Sequence, residues 1–185
     1  MKDNHKKTQD IQRKLIESCR KGNRKAQNEI YRLYYKSMYN TSLRIVGRTE
    51  LAEDIMQEAF LKAFMNIAQY RGEVSFGAWL KKIVIHRSLD YLRQHRWDQV
   101  ELHSFENKII EEEAADIEEN ISISEIQKEI ENLADGYRIV ISLYLLEGYD
   151  HEEIAEILKI SPSTSRSQLA RAKKILAQNL KKYKK

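Results

Sequence analysis

The sequence predicts an all-α protein: two small helical domains joined by an acidic linker, the C-terminal one a helix-turn-helix. Three observations lead there. One proline and six glycines are all that interrupt 185 residues, of which 42% are hydrophobic and 32% charged. Glu, Lys, Ile and Leu are abundant, and these residues favour helix. Apolar residues recur at three- and four-residue steps on both sides of one acid-rich stretch that lacks such a stripe. The expected boundaries are 1–96, a linker at 97–121, and 122–185.

The elements follow in order. "DIQRKLIESCRKG" reads as a helix stopped by Gly22. "AQNEIYRLYYKSMYNTSLRIVG" carries Ile30, Leu33, Tyr34 and Met38 at helical steps and ends at Gly47. "ELAEDIMQEAFLKAFMNIAQY" places Met56, Phe60, Ala63 and Ile67 on one face, with Phe64 beside it. "YRGEVSFG" is a loop. "AWLKKIVIHRSLDYLRQHR" is a long helix whose apolar residues spread around it, so it is expected to pack on more than one side. After the linker come "ISEIQKEIENL" and then "GYRIVISLYLLEG", bounded by Gly136 and Gly148. Asp150 and Glu153 have the spacing of a capping box for "HEEIAEIL". A turn at Lys159 and Ile160 leads to a last helix, with Ser161 as N-cap and Pro162 at its first position.

Charge is segregated. From Pro162 to Lys185 there are eight bases and no acid, while from Asp98 to Glu119 nine acids face one base, Lys108. A polyanion partner is expected for the tail and a different task for the middle. Cys19 stands alone, which excludes an internal disulfide or a zinc ribbon and fits a reducing, cytoplasmic setting. No apolar run approaches the about 18 residues that span a bilayer, and the polar "MKDNHKKTQD" start is unlike a signal peptide. No membrane insertion is therefore expected.

The last two helices form the helix-turn-helix. Ile154, Ile157 and Leu158 can pack on Leu169, Ala172 and Leu176, with the small Ala155 at the crossing. Ser163, Ser167, Arg171 and Lys174 then face outward, with Arg166 and Lys173 nearer the edge. Short hydroxyls permit close approach, and long bases reach phosphates or guanine edges in a major groove. A solvated helix on a core is the alternative for this stretch alone; capping and the acid-free tail favour DNA.

An enzyme is disfavoured. "HEEIA" begins like a zinc-protease motif but lacks the second histidine, position 155 being Ala. His86 and Asp90 form a helical pair without further ligands, and neither a phosphate loop nor a nucleophile elbow is present. No metal, cofactor or catalytic residue is expected.

Three blocks, in order, carry a resemblance: "AEDIMQEAFLKAF", "FGAWLKKIVIHRSLDYLR" and "EGYDHEEIAEILKISPSTSRSQLARAKKIL". From about Gly22 onward the chain resembles the extracytoplasmic-function sigma factors of bacterial RNA polymerase, short members of the housekeeping-sigma superfamily. The resemblance implies that Asp54, Gln57, Glu58 and Leu61 grip a coiled coil of the polymerase core; an ordinary polar helix face is the alternative. It implies that the second block melts and reads the downstream promoter element. Tyr70, Arg71, Phe76 and Trp79 would hold a flipped base, since unstacked bases need flat surfaces and positive charge. Core anchoring is the alternative for Phe76 and Trp79. Lys81, Lys82, Arg87, Arg93 and Arg96 would hold the strand's backbone. Ser163, Thr164, Arg166, Ser167, Arg171, Lys173 and Lys174 would meet the upstream element as duplex.

Two departures stand out. His86 replaces the family's usual Asn, either to bond a base or as a buried neutral histidine. Ser163, Thr164 and Ser165 replace a Gly-Thr-Val at the start of the recognition helix. The acidic linker is expected to lie along the polymerase's basic nucleic-acid channel, or else to act as a solvated spacer. The implied partners are polymerase core and promoter DNA, with an anti-sigma factor as a further candidate. The rival reading, a two-domain activator with a LuxR-like helix-turn-helix, fits the linker and the aromatic loop less well.

Overall fold

The computed structural model describes residues 12–95 and 121–183. The linker expected at 97–121, apart from Ile121, lies outside the described residues, as does Arg96. Those described are helical, with no strand among them, and they fall into two compact units. The first takes 12–43 and 48–88, the second 44–47, 89–95 and 121–183.

In the first unit, α1 covers 12–20 and is closed by Gly22, whose φ of +75° suits glycine. Then come α2 (Arg24–Val46), α3 (Thr49–Met65), a 3-10 turn at Ile67–Gln69 and α4 (Phe76–His95), the ends of α2 from 44 and of α4 from 89 falling in the second unit. The expected stripe of Met56, Phe60, Ala63 and Ile67 is buried, and Ala52, Ile55 and Ala59 of α3 face inward with it. Three alanines on it let neighbouring helices approach closely. Met56 and Phe60 fill the space between, beside Ile30, Met38, Leu80 and Val84. Tyr31 lies 4.8 Å from Phe60, centroid to centroid.

Two expectations are corrected here. Leu33 shares a helical step with Ile30 but is 60% exposed, because Tyr34 takes the inward position beside it. The loop after Tyr70 is shorter than the sequence suggested. Ser75 opens α4, its Oγ accepting from the Ala78 N–H at 3.2 Å and its carbonyl from the Trp79 N–H at 3.0 Å. Phe76 and Gly77 therefore belong to the helix.

The second unit holds α5 (Ile123–Glu131), α6 (Asp135–Ile141), a π-turn at Ser142–Leu146, α7 (His151–Leu158) and α8 (Pro162–Leu180), ending in a 3-10 turn at Lys181–Tyr183. Both expected caps on the helix-turn-helix form. Asp150 accepts from the Glu153 N–H at 2.8 Å, and Glu153 accepts from the Asp150 N–H at 3.0 Å. Ser161 accepts from the Thr164 N–H at 3.0 Å, with Pro162 following it. A second capping box, Ser122 with Glu125, starts α5; its S-x-x-E spacing was legible in the sequence. Ile154, Ile157 and Leu158 are buried, as are Leu169, Ala172 and Leu176 of α8. Glu129 is buried too, and its carboxylate accepts from Lys182 at 2.8 Å and from the Tyr183 hydroxyl at 3.0 Å. That pairing ties the chain's last turn to α5, and the Lys182 hydrogen bond holds the Glu129 carboxyl below its ordinary range.

The turn between α7 and α8 carries the only positive φ outside glycine among the described residues, Lys159 at φ 59°, ψ 45°. A left-handed Lys costs on the order of 1 kcal/mol. Lys159→Gly should therefore raise stability by somewhat less than that, since glycine also gains freedom when unfolded. Lys159→Val should lower it. Urea unfolding followed by circular dichroism reads both.

Candidate nucleic-acid and partner interfaces

Burying one stripe of α3 turns the other outward. Asp54, Gln57 and Glu58 are exposed, and Leu61 is 64% exposed. Met65, one turn beyond Leu61, is 84% exposed. Its four-residue step from Leu61 puts it on the same helix face, a signal legible in the sequence. The result is a row of acid and amide groups ending in two bare apolar side chains. Gln57 donates to Glu53 at 3.4 Å, and Glu58 forms an ion pair with Arg87 of α4. That pair joins a residue expected to meet polymerase to one expected to meet DNA.

The loop at 70–75 is held from several sides. Tyr70 caps the 3-10 turn, its N–H donating to the Ile67 carbonyl at 3.2 Å. Its hydroxyl donates to the Val74 carbonyl at 2.7 Å, closing the loop on itself. Burial pushes the Tyr70 phenol up, so it stays protonated and able to donate. Arg71, Gly72, Glu73, Val74 and Ser75 are exposed. Gly72, at φ +81°, makes the bend.

Phe76 requires a correction. It is 2% exposed and ringed by Tyr34 (5.7 Å), Tyr70 (5.4 Å) and Trp79 (5.4 Å). A base cannot stack on a ring already enclosed this way, so Phe76 takes the core-anchoring alternative. Tyr70 and Trp79 are half-buried, 5.4 Å apart, each with part of its ring against Phe76 and part outside. Along α4, Lys82 and His86 are exposed, which removes the buried-histidine alternative for His86. Arg87 and Arg93 are half-buried, Arg93 pairing with Asp90 at 3.3 Å. Cys19 lies in the same core, where burial pushes its thiol up to about 11, so it is an unreactive thiol at neutral pH.

On α8 the hydroxyl run is largely engaged with itself. Ser161 shares hydrogen bonds with Ser163 and Thr164, both at 2.8 Å, and Ser167 donates to the Ser163 carbonyl at 3.0 Å. Ser165 is fully buried and hydrogen-bonded to His151 Nδ1 at 2.9 Å. Ser163, Arg166, Lys173 and Lys174 are exposed; Thr164, Ser167 and Arg171 are half-exposed. Arg166 reaches Glu152 at 3.5 Å. The outward face thus presents bases over a floor of small residues. Among the described residues no group of His, Cys, Asp and Glu could hold a metal, and no helix is long and apolar enough to cross a membrane.

Comparison with known proteins gives the family. The Sigma-70 region 2 model matches residues 30–98, and the Sigma-70 region 4 model matches 123–176. The chain is 30% identical over 173 residues to the ECF RNA polymerase sigma-E factor of Haemophilus influenzae, covering 88% of this chain and 91% of that one. It is 29% identical over 180 residues to the ECF RNA polymerase sigma factor SigW of Bacillus subtilis, covering 91% and 96%. Its fold is similar to that of the sigma factor RpoE, solved with the anti-sigma factor NepR from Bartonella quintana. The TM-score is 0.56 and the identity 21%, covering 83% of this chain and 96% of that one. The two matched regions define a sigma-70-type transcription initiation factor. Within that class, the chain belongs to the ECF sigma factors.

Two outcomes follow from this packing. Phe76→Ala should cost about 3–5 kcal/mol of stability, measured by denaturant unfolding, because it empties the centre of a ring cluster. His151 lies against Tyr144 at 4.7 Å, and burial, then Arg166, lower its pKa. A depressed histidine favours the fold when neutral. Its contribution is fully present above the unfolded value of 6.5 and is lost as pH falls through the folded one. His151→Gln should flatten the fall in unfolding midpoint below that pH.

Proposed function

We propose that this sigma factor docks on polymerase core through the outward face of α3, holds the melted downstream element at the loop following Tyr70, and reads the upstream element with α8. As a member of its family, the chain directs RNA polymerase core to promoters and starts transcription there. The observation that carries the residue-level reading is the division of α3. A polar row ending in two bare apolar residues, one of them 84% exposed, is costly to leave in water and suits a protein partner. Half-buried aromatic edges beside Arg71 support single-strand capture. The acid-free outer face of α8 supports duplex binding. The chain works in the cytoplasm, without catalytic activity or cofactor of its own. The Bartonella RpoE structure contains an anti-sigma factor, and a partner of that kind is part of the proposal here. The proposal takes the domain bounds expected from the sequence, 1–96 and 122–185 joined by the acidic linker at 97–121.

Replacing Asp54 and Gln57 together by Ala should leave stability within about 0.5 kcal/mol, since neither is buried. Affinity for core should fall about tenfold or more, read by competition binding. Unchanged affinity in the folded double variant would falsify the α3 assignment.

On α8, Arg171→Ala should cost about 1–3 kcal/mol on the preferred upstream sequence and relax choice at one or two bases. Lys173→Ala should weaken all upstream sequences alike and make the salt slope shallower by about one. Transcription from promoters randomised upstream, repeated at several salt concentrations, separates the two.

A further inference from the structure

Arg20 ends α1, outside the residues matched by the region 2 model, and 50 residues before the loop. Its guanidinium is held at one side by Glu17, at 2.7 Å. Its other terminal nitrogen donates to the Tyr70 carbonyl. That carbonyl belongs to the same rigid peptide plane as the Arg71 N–H. The plane is trans, so fixing the oxygen fixes the opposite direction for the amide. The chain therefore leaves Tyr70 at a set angle, and Arg71 departs with it. The remaining ties on the loop act elsewhere: the Tyr70 hydroxyl holds Val74, and Ser75 is held by the start of α4. Without Arg20 the loop keeps both ends but loses the restraint on its first peptide.

We propose that Arg20 is a positioning residue for capture of the melted strand, holding the Tyr70–Arg71 peptide so that Arg71 and the loop's exposed rim are set before DNA arrives. This rests on the reading of the 70–75 loop as the single-strand contact. Ordering the loop beforehand spares that ordering cost on binding. Arg suits the task better than Lys, because its planar fork serves Glu17 and the carbonyl together.

The test uses holoenzyme carrying Arg20→Gln, Arg20→Lys or Arg71→Ala. Binding is measured to a single-stranded downstream-element oligonucleotide and to upstream duplex, across a salt series, with core affinity and unfolding midpoint alongside. Arg20→Gln should weaken single-strand binding about three- to tenfold, an exposed charge-assisted bond being lost. Duplex binding, core affinity and midpoint should hold, and Arg20→Lys should restore part of the loss. The salt slope for single strand should stay unchanged. A slope lower by about one means that Arg20 touches phosphate itself and overturns the positioning role. A parallel drop in midpoint and in every binding reaction makes Arg20 merely structural and also overturns it. If Arg71→Ala weakens single-strand binding and Arg20→Gln does not, the inference fails while the loop reading stands. If neither variant matters, the loop reading itself fails.

Discussion

The first unit depends on the ring corner in which Phe76 sits. Tyr34 comes from α2, Tyr70 from the end of the 3-10 turn, and Trp79 from the first turn of α4. These three meet at one buried phenyl, so the start of α4 is fixed against α2 and the loop before it has both ends held. Gly77 shows how close that packing is: a Cβ there would come within 2.9 Å of the Tyr34 ring. The loop's rim is exposed because its base is so firmly buried.

The same trade between burial and presentation runs through both units. Helices of seven to 23 residues are marginal alone in water, so each must bury a face. What is left outside is the surface that the contacts proposed above would use. On α3 it is Asp54, Gln57, Glu58, Leu61 and Met65; on α8 it is a set of bases above small residues. In neither case would the proposed binding compete with the core for the same side chains. Arg87 and Glu58 are the exception in kind: two outward groups that satisfy each other across α3 and α4.

Not every charge that looks available is. Lys182 belongs to the basic tail by composition, yet in the fold it neutralises the buried Glu129 and helps hold the last turn. The hydroxyls opening α8 suit groove contacts by sequence, yet most are committed to capping or to one another, and in the proposed reading that puts the burden of recognition on the bases. Ser165 is spent inward on His151.

The all-helical class, the caps at Asp150 and Ser161, the α3 stripe and the turn at Lys159 were determined by the sequence alone. Each rests on residues three or four positions apart, and that range is enough to decide whether a helix starts, stops or has an apolar side. The outward position of Asp54, Gln57 and Glu58 was legible for the same reason. Only the tertiary structure decided that Phe76 is enclosed, that Leu33 is bare, that His86 is exposed, and that Arg20 reaches Tyr70. Periodicity identifies a helix's apolar face but not which of two adjacent apolar residues meets the neighbouring helix. Nor can it pair groups 50 residues apart. Those outcomes depend on chain closure, where the packing of large rings against small residues selects one arrangement among several that local preference leaves equal.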